Sequence, residues 1–324
     1  MMKTKVFVAK SIPLEVKEYL GQYCDYRIWD SEEAVPRELL MEEVRDIDGL
    51  LATSSDKIDE ELLRKAPRLK VVSNIAVGYN NFNLEAMKAR KVIGTNTPFV
   101  LDETVADLVF GLILSSARRI CELDRYVKEG KWLKRIDESL FGLDVHHTTL
   151  GIIGMGRIGE KIAQRAKLGF SMDVLYYNRT RKSEVENSLG IEYSEMDELL
   201  KKADFVVLMT PLTPQTKKMI GERELNLMKR TAIFINASRG ETVDEGALLQ
   251  ALQEKKILAA ALDVYEQEPV DTQSPLLQLS NVVMMPHIGS ATAKTRFDMA
   301  MRGARNLVLA LSGEVPPNLV EELK

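Results

Sequence analysis

The sequence predicts an α/β protein made of two similar halves, each with a parallel sheet covered by helices on both faces. Short apolar runs alternate with charged, helix-periodic stretches over the first hundred residues, and a second alternating series begins at Thr149. Most runs of the second series are continuously apolar, which is typical of strands buried on both faces. The length of 324 residues is about that of two domains of roughly 150 residues.

The first series supplies the elements of an N-terminal sheet. Charged stretches at 38–44 and 58–65 have helical periodicity and lie between apolar runs. The apolar runs predict strands at 5–9, 26–29, 49–52, 71–75 and 92–94.

The segment 104–126 predicts one long helix between the two series. Thr104 followed by Asp107 resembles a capping box, an apolar stripe starts at Val105, and Gly130 ends the element. A helix of this length is suited to join two domains, and an ordinary bundle helix is the alternative that periodicity leaves open.

The second series supplies another sheet and a closing helix. A helix over 290–311 ends before Gly313 and the pair Pro316-Pro317. Its strands are predicted at 150–154, 173–177, 205–209, 232–236, 259–264 and 282–285.

Composition argues against several classes of function. Lys and Arg number 44 against 48 Asp and Glu, a formal net charge of -4, which disfavours nucleic-acid and anionic-membrane partners. The 2 cysteines are too few for a disulfide framework or a cysteine-ligated zinc site, and they are typical of a reducing cytosol. The apolar runs fall short of the about 20 residues of a membrane span, and residues 1–10 lack the apolar core of a signal peptide. We expect a cytoplasmic protein without a metal site.

A glycine-rich turn after the first strand of the second series predicts a dinucleotide site. The segment GIIGMGRIG contains G-x-G-x-x-G at Gly154, Gly156 and Gly159, between a strand and a helical pattern. Gly154 allows the tight turn, Gly156 lets the backbone approach a pyrophosphate, and Gly159 allows close packing of helix on strand. The helix N-terminus directs unpaired N–H groups at the phosphates. A glycine-rich turn with no ligand is the alternative.

The end of the next strand indicates which dinucleotide binds. Proteins that bind NAD place an acidic residue there for the ribose 2′-hydroxyl. This chain instead has Asn178 followed by Arg179, Thr180, Arg181 and Lys182. Because no carboxylate repels a 2′-phosphate and cations surround it, the sequence favours NADP, with NAD as a second coenzyme. A solvated turn is the alternative.

Charged and polar side chains follow three further strands of this series. Arg239 lies three residues past one strand, and His287 lies past another. Asp263 stands at a strand end with Glu268 just beyond it. Sites on open parallel sheets gather beyond the carboxyl ends of the strands, so these residues together predict a reduction site. Each residue alone also has an ordinary structural interpretation.

The order of these motifs resembles the D-isomer-specific 2-hydroxyacid dehydrogenase family. The segments GMGRIG, NASRG, ALDVYEQEP and PHIGS match the family's patterns in order. The likeness extends over essentially the whole chain and includes IAVGYNNF, DETVADLVFGLIL and DVHHTTLGIIG. Within the family, GYNNF, DVHH and YYNRTRK are most similar to bacterial glyoxylate/hydroxypyruvate reductases that also reduce 2-ketogluconate.

The resemblance implies the roles of the catalytic residues. His287 would be the general acid in ketone reduction, and Glu268 would hydrogen-bond it and keep the imidazolium charged. Arg239 would bind the substrate carboxylate and polarise the keto oxygen. Backbone amides near Val77 and Gly78 would hold the other side of the carboxylate.

The resemblance also implies the coenzyme contacts. Asp263 would orient the nicotinamide carboxamide, Val105 would press on the nicotinamide ring, and Thr210 with Pro211 would flank the adenosine. The other residues assigned to the coenzyme are Gly154, Met155, Gly156, Arg157, Ile158, Gly159, Asn178, Arg179, Thr180, Ala237, Ser238 and Gly289.

The domain organisation follows from the same resemblance. It implies two Rossmann-like domains with an active-site cleft between them, and a homodimer through the coenzyme domain. The substrate-binding domain would comprise 1–102 plus 288–324, and the NAD(P)-binding domain 103–287. Asn178 replaces the acidic residue of many relatives, which agrees with a preference for NADP.

Other functions on the same fold stay open. A nucleotide-sensing corepressor keeps the three catalytic residues, and a phosphoglycerate dehydrogenase acts on another 2-hydroxy acid. A formate dehydrogenase is disfavoured, because its histidine pairs with glutamine rather than with a residue like Glu268. Phe99, Leu101 and the loop 132–144 are hypothetical walls of the substrate pocket.

Overall fold

The computed structural model describes residues 3–31 and 33–324. The first two residues of the predicted substrate domain, and residue 32, therefore lie outside the described part. The chain divides into two compact units, unit 1 with Met1–Leu101 and Ala291–Lys324, and unit 2 with Asp102–Ser290. Each is built from strands and helices in alternation.

Unit 1 contains a parallel sheet of five strands in the order β2-β1-β3-β4-β5 among the described residues. Its strands are β1 (Thr4–Val8), β2 (Cys24–Ile28), β3 (Gly49–Ala52), β4 (Val71–Asn74) and β5 (Ile93–Thr95). Its helices are α1 (Leu14–Tyr23), α2 (Arg37–Glu43), α3 (Glu60–Lys65), α4 (Leu84–Ala89) and, after unit 2, α12 (Ala293–Ser312).

The two central strands of unit 1 are buried along their whole length. Every residue of β3 and β4 is buried, as the continuous apolar run at 49–52 predicts. The helix α12 packs on this sheet so closely that a Cβ atom added at Gly49 would lie 3.0 Å from Leu307 Cδ1. This helix begins at the cap Thr292, whose side chain accepts a hydrogen bond from Thr295 N, and ends at Gly313 in the left-handed region.

Unit 2 contains a parallel sheet of seven strands in the order β12-β11-β10-β9-β6-β7-β8 among the described residues. Its strands are β6 (Thr149–Ile153), β7 (Asp173–Tyr177), β8 (Glu192–Tyr193), β9 (Phe205–Leu208), β10 (Ile233–Asn236), β11 (Ala259–Leu262) and β12 (Val282–Met284). Its helices are α5 (Asp102–Ala117), α6 (Ile120–Lys128), α7 (Arg157–Phe170), α8 (Ser183–Leu189), α9 (Met196–Lys202), α10 (Glu222–Leu227) and α11 (Glu245–Gln253).

The strand order of unit 2 places three loops side by side. β10, β11 and β12 are neighbours in the sheet and run parallel. Every residue of β10 and β11 is buried, so these strands fix the positions of the polar residues that follow them. Arg239, Glu268 and His287 all lie beyond carboxyl ends at this edge of the sheet.

The long helix predicted at 104–126 is wrong in two respects. The helix begins at Asp102 rather than at a cap on Thr104, and it ends at Ala117 before a second helix starts at Ile120. Arg119 between them has φ 54°, in the left-handed region that ends a helix. Its guanidinium binds Glu122 and the carbonyl of Ser139, contacts that an uninterrupted apolar stripe does not reveal.

Other boundaries differ from the predicted ones by one to three residues, and the largest difference is the start of α12 at Ala293 rather than at 290. The strand predicted at 259–264 ends at Leu262, and β8 has only two residues, too few for a pattern of alternation. Within residues 3–31 and 33–324, no helix has the length and apolarity to cross a membrane.

Candidate active site

A histidine and a glutamate form the most direct polar contact at the sheet edge. His287 Nδ1 lies 2.6 Å from Glu268 Oε2, and Glu268 Oε1 accepts a hydrogen bond from Tyr265 N at 3.0 Å. Because an ionised carboxylate only accepts, the proton of this bond is on Nδ1, and the ring directs Nε2 away from Glu268. The side chains of His287 and Glu268 are 43% and 35% exposed, so the pair is reachable from solvent.

Glu268 is held in its charged form by its neighbours. Burial alone would raise the pKa of this carboxyl, but the hydrogen bond from His287 and the positive charges of His287 and Arg239 lower the pKa below its ordinary value. A carboxylate that stays ionised stabilises the imidazolium form of the histidine. The pair is therefore suited to hold a proton at His287 and release it from Nε2.

His287 also has an unusual backbone conformation. Its φ is 53°, in the left-handed region that residues with a Cβ rarely adopt. Strained backbone of this kind concentrates at functional sites, where the surrounding structure maintains it. The neighbouring amides Ile288 N and Gly289 N are fixed by Asp263, as described below.

Arg239 is half-buried next to this pair. Removal from water lowers the pKa of its guanidinium, an effect that the negative charge of Glu268 partly offsets. Its Nη1 donates to Ser238 O at 2.6 Å. Asn236 holds the segment in place, because its Oδ1 accepts from Ser238 N at 3.0 Å and its Nδ2 donates to Arg239 O at 3.1 Å. A half-buried guanidinium that keeps its charge is a strong donor to an anionic ligand.

The segments that carry Arg239 and Glu268 touch at a glycine. A Cβ atom at Gly240 would lie 1.8 Å from the carbonyl carbon of Tyr265, so only glycine fits there. The Tyr265 hydroxyl donates to Leu262 O at 3.1 Å and to Met285 O at 2.9 Å, which ties the ends of two strands together. Burial raises the pKa of Tyr265, so the hydroxyl keeps its proton. Sequence reasoning missed Gly240 and Tyr265, whose contacts are visible only in three dimensions.

Asp263 binds the backbone that follows the histidine. Its Oδ1 accepts from Ile288 N at 2.7 Å and its Oδ2 from Gly289 N at 2.8 Å. Burial raises the pKa of Asp263, and the Ile288 amide and the charge of His287 oppose that rise. A Cβ atom added at Gly289 would lie 3.4 Å from Val105 Cγ2, so Val105 is adjacent to this loop. The predicted contacts of Asp263 and Val105 with a nicotinamide stay predictions.

The glycine-rich turn has the geometry of a phosphate-binding turn. Gly154 has φ 107°, and a Cβ atom there would lie 2.6 Å from Met209 O. A Cβ atom at Gly159 would lie 2.5 Å from Gly154 O, so the helix packs directly on the turn. Gly156 caps α7, and a Cβ atom there would meet nothing within 4 Å. The open space at Gly156, in front of a helix N-terminus, fits the pyrophosphate of a dinucleotide.

Asn178 supports this turn from the end of the next strand. Its Oδ1 accepts from Met155 N at 3.2 Å and its Nδ2 donates to Thr180 O at 2.8 Å. Arg157, the first residue of α7, donates from Nε to Asp102 Oδ2 at 3.1 Å. Asn178 therefore acts on the backbone of the turn as well as standing where an acidic residue would exclude a 2′-phosphate.

Arg181, predicted to offer positive charge to a 2′-phosphate, is paired with a carboxylate. Glu186 binds its guanidinium in a fork, with Nε–Oε1 2.8 Å and Nη2–Oε2 2.6 Å, and the guanidinium lies 5.7 Å from the centre of the Tyr193 ring. The hydrogen bonds from Arg181 and Tyr176 lower the pKa of Glu186 to about 2. Arg179 is exposed and, like Lys182, makes no ion pair with any described residue, so these two cations of the loop are open to a ligand.

The remaining predicted residues are distributed over both units. Thr210 Oγ1 donates to Met219 Sδ at 3.5 Å, and Pro211 O accepts from Thr216 Oγ1 at 2.6 Å. Ser238 is buried beside Arg239. Ile158 and Ala237 are half-buried in unit 2, whereas Val77 and Gly78 are half-buried in unit 1, in the bend after β4.

Comparison with known proteins agrees with this geometry. Residues 110–289, more than half of the chain, match the NAD-binding domain of the D-isomer specific 2-hydroxyacid dehydrogenases. The chain is 47% identical to a glyoxylate reductase of Thermococcus gammatolerans, over 99% of this chain and 97% of that protein. It is 46% identical to glyoxylate/hydroxypyruvate reductase B of an Enterobacter species, over 98% of each.

Solved structures show the same fold. The TT0316 protein of Thermus thermophilus superposes with a TM-score of 0.91 at 40% identity, over 98% of this chain and 99% of that chain. An NADPH-dependent glyoxylate/hydroxypyruvate reductase of Sinorhizobium meliloti, in complex with NADP and malonate, superposes with a TM-score of 0.88 at 31% identity, over 99% of this chain and 98% of that chain.

Proposed function

We propose that this chain, which belongs to the D-isomer-specific 2-hydroxyacid dehydrogenase family, reduces glyoxylate to glycolate and hydroxypyruvate to D-glycerate with NADPH. It is an NAD(P)-dependent oxidoreductase that reduces a 2-keto acid to a 2-hydroxy acid. The observation that carries the proposal is the 2.6 Å contact of His287 with Glu268 beside the half-buried Arg239. The two keto acids are those named for the similar reductases, and 2-ketogluconate is a third substrate to test.

The coenzyme would be held by the glycine-rich turn and the loop after β7. The open space at Gly156 and the amides at the start of α7 fit the pyrophosphate, and the Asn178–Thr180 loop fits the ribose end. When bound, a reduced nicotinamide supplies the hydride for C2 of the keto acid.

The protein residues would supply binding, charge and a proton. Arg239 would bind the substrate carboxylate and the keto oxygen, whose negative charge grows as the ketone is reduced. His287 would donate the proton from Nε2 to that oxygen, and Glu268 would hold the ring and its charge during the transfer. The partial burial of Arg239 would strengthen its attraction for an anion relative to that of a fully solvated guanidinium.

NADPH would be the preferred coenzyme, with NADH also accepted. No carboxylate stands at position 178, and Arg179 is an exposed cation next to it. Arg181 is paired with Glu186, which leaves Arg179 and Lys182 as the cations of this loop for the 2′-phosphate. We therefore expect a moderate preference for NADPH rather than exclusion of NADH.

Each unit would have its own task. Unit 2 would bind the coenzyme, which corresponds to the segment 103–287. Unit 1 would bind the substrate carboxylate through the amides of Val77 and Gly78, and this unit corresponds to the predicted domain 1–102 with 288–324.

Two chains would associate through unit 2, because large apolar side chains are exposed along one stretch of it. They are Ile120, Val127, Trp132, Leu133, Ile136 and Phe141. Sedimentation of the purified protein as a monomer at micromolar concentration would exclude the homodimer.

A cytoplasmic location is part of the proposal and rests on cysteine content. Cys24 and Cys121 are both free thiols, as in proteins of a reducing compartment. Fractionation of cells that express the tagged chain tests this point.

A panel of keto acids tests the proposed activity. The purified protein is incubated with NADPH or NADH and with glyoxylate, hydroxypyruvate, 2-ketogluconate, pyruvate or 3-phosphohydroxypyruvate, and coenzyme oxidation is followed by absorbance. The proposal predicts oxidation with the first two acids and faster oxidation of NADPH. Fastest turnover of the phosphorylated acid would indicate a phosphoglycerate dehydrogenase. Coenzyme binding without any oxidation would favour a nucleotide-sensing protein.

A further inference from the structure

The bend after β4 has its carbonyl groups bound by donors of unit 1. We call the residues Ala76–Gly78 the β4 bend. Ala76 O accepts from Thr97 N at 2.9 Å, and Val77 O accepts from Asn96 Nδ2 at 2.7 Å. These bonds fix the planes of two successive peptide groups.

The third carbonyl of the β4 bend, Gly78 O, is bound by a side chain of β4. Gly78 O accepts from Asn74 Nδ2 at 2.9 Å. Asn74 is the last residue of β4 and has no exposed surface. All three carbonyls of the bend are thus tied to donors within the same unit.

The amides of the bend must point the opposite way. In a planar trans peptide, the C=O of one residue and the N–H of the next are antiparallel. The bound carbonyls therefore direct the N–H groups of Val77, Gly78 and Tyr79 away from their donors. None of these three amides donates to any group in residues 3–31 and 33–324. Free backbone amides at successive residues can together bind an anion.

Asn74, the last residue of β4, is itself held by a second asparagine, Asn81. Asn74 Nδ2 also donates to Asn81 Oδ1 at 3.1 Å. Asn81 Nδ2 donates to Thr53 O at 3.0 Å and to Asp56 O at 2.9 Å. The Gly78 carbonyl is thereby connected to the loop after β3.

Asn96, the residue that follows β5, is held through its own backbone. Asn96 O accepts from Asn306 Nδ2 at 3.0 Å, and Asn306 is buried on α12. Asn96 N donates to Asn318 O at 3.2 Å. Asn96 is thus held through its backbone and Asn74 through its side chain. The side chains that bind the bend are neutral amides, which donate without bringing a negative charge near an anion.

We propose that Asn96 and Asn74 are positioning residues that aim the amides of the β4 bend at the carboxylate of the 2-keto acid. This inference rests on the proposed function, since it takes a keto acid as the anion. Asn96 sets the direction of the Gly78 amide through Val77 O, and Asn74 sets that of the Tyr79 amide through Gly78 O.

Substitution of Asn96 tests the inference, because this residue is only half-buried. Asn96→Leu removes the donor at similar volume and adds no charge, and Asn96→Asp keeps the shape but can no longer donate. Both variants are expected to raise KM for glyoxylate about tenfold, the usual effect of misplacing a hydrogen bond to a charged group, while the Kd of NADPH stays unchanged. The preference for glyoxylate over its neutral amide should fall by a similar factor, since only the acid needs the anion site.

Asn281→Leu is the matched control. Asn281 Nδ2 also donates to two backbone carbonyls, Leu258 O at 3.1 Å and Leu252 O at 3.4 Å, but in unit 2. Its loss should lower thermal stability and leave KM for glyoxylate at the wild-type value. A wild-type KM and acid preference in either folded Asn96 variant would overturn the inference alone. A wild-type protein that reduces no keto acid would instead overturn the proposed function.

Discussion

The two units offer an anion site by different means. In unit 2, the turn after β6 combines glycines with the N-terminus of α7, so free amides arise from regular secondary structure. In unit 1, the β4 bend precedes no helix directly, and its amides are directed by side chains that bind the carbonyls. The turn before α7 is formed by residues close together in the sequence. The β4 bend, in contrast, depends on residues from β4, α12 and the segment after β5.

The two units therefore differ in the kind of group that they offer to a substrate. Unit 2 carries the side chains that can move a proton or bind a growing negative charge, namely His287, Glu268 and Arg239. Unit 1 contributes backbone groups to the proposed substrate site. Substitutions in the site of unit 2 should therefore change turnover, and those around the β4 bend should change KM.

The largest effect is expected from removal of the proton donor. His287→Ala should lower kcat by about 10²–10⁴-fold, the usual contribution of a positioned general acid. Steady-state reduction of hydroxypyruvate measures it. His146→Ala, which removes an exposed histidine outside the site, is the control and should keep kcat. A His287→Ala enzyme with near wild-type kcat would show that unit 2 does not supply the proton from this residue.

Replacement of the half-buried arginine should have the next largest effect. Arg239→Lys keeps the charge but loses the planar fork, so kcat/KM should fall about 10²-fold from the loss of charged hydrogen bonds. The exposed Arg230 provides the control, because Arg230→Lys should leave kcat/KM unchanged. If both variants behave alike, the carboxylate is bound elsewhere.

The glycine-rich turn allows a test of binding without loss of stability. Gly156→Ala should raise the Kd of NADPH about tenfold, because the methyl group enters the space for the pyrophosphate. Its melting temperature should stay the same, since a Cβ atom at Gly156 meets nothing within 4 Å. Gly169→Ala, equally unobstructed and near the other end of α7, should bind NADPH normally. Unchanged NADPH binding in the Gly156 variant would argue that phosphate binds away from this helix.

Substitutions in the loop after β7 should show which cation binds the 2′-phosphate. Arg179→Ala should reduce the ratio of kcat/KM for NADPH to that for NADH about tenfold, as expected from losing one charged contact. Arg181→Ala should change the ratio less, because Glu186 already binds its guanidinium. A larger effect at Arg181 would mean that the ion pair opens when the coenzyme binds.

The smallest effect concerns stability at low pH. Burial raises the pKa of Glu268, but the hydrogen bond from His287 and nearby positive charges lower it overall. A folded pKa below the unfolded value of about 4.3 means that ionised Glu268 stabilises the fold above that pH, and the contribution is lost as the pH falls through the folded pKa.

Glu268→Gln tests this dependence by denaturant unfolding at several pH values. The difference in free energy of unfolding between wild type and variant should shrink as the pH falls below about 5, because protonation of Glu268 removes the contribution of its ionised form. Glu184→Gln, on the exposed start of α8, should show no such change. A difference that grows over the same acid range would contradict the lowered pKa.

The sequence was informative where the signal is local. Continuous apolar runs predicted nearly all the strands, and the spacing of Gly154, Gly156 and Gly159 predicted the turn before α7. The order of Arg239, Glu268 and His287 after consecutive strands predicted that they lie at one sheet edge, because parallel strands place their carboxyl ends together.

The remaining features depend on contacts between distant residues. The apolar stripe after Val105 continues past Arg119, so periodicity could not reveal the break, which rests on bonds from Arg119 to Ser139 and Phe141. The Arg181–Glu186 pair depends on which side chains face each other in a loop rich in both charges. The carbonyls of the β4 bend are bound by Asn74 and Asn96, and no local pattern in the sequence joins these two residues.

Chiral analysis of the product tests the central claim most directly. Hydroxypyruvate is reduced with NADPH by the wild-type protein and by His287→Ala at equal concentration, and the enantiomers of glycerate are separated and quantified. A hydride delivered opposite a fixed Arg239 and His287 should give D-glycerate alone, with product formation falling at least about a hundredfold in the variant. L-glycerate, a racemic product, or an unchanged yield from the variant would contradict the assignment of the site.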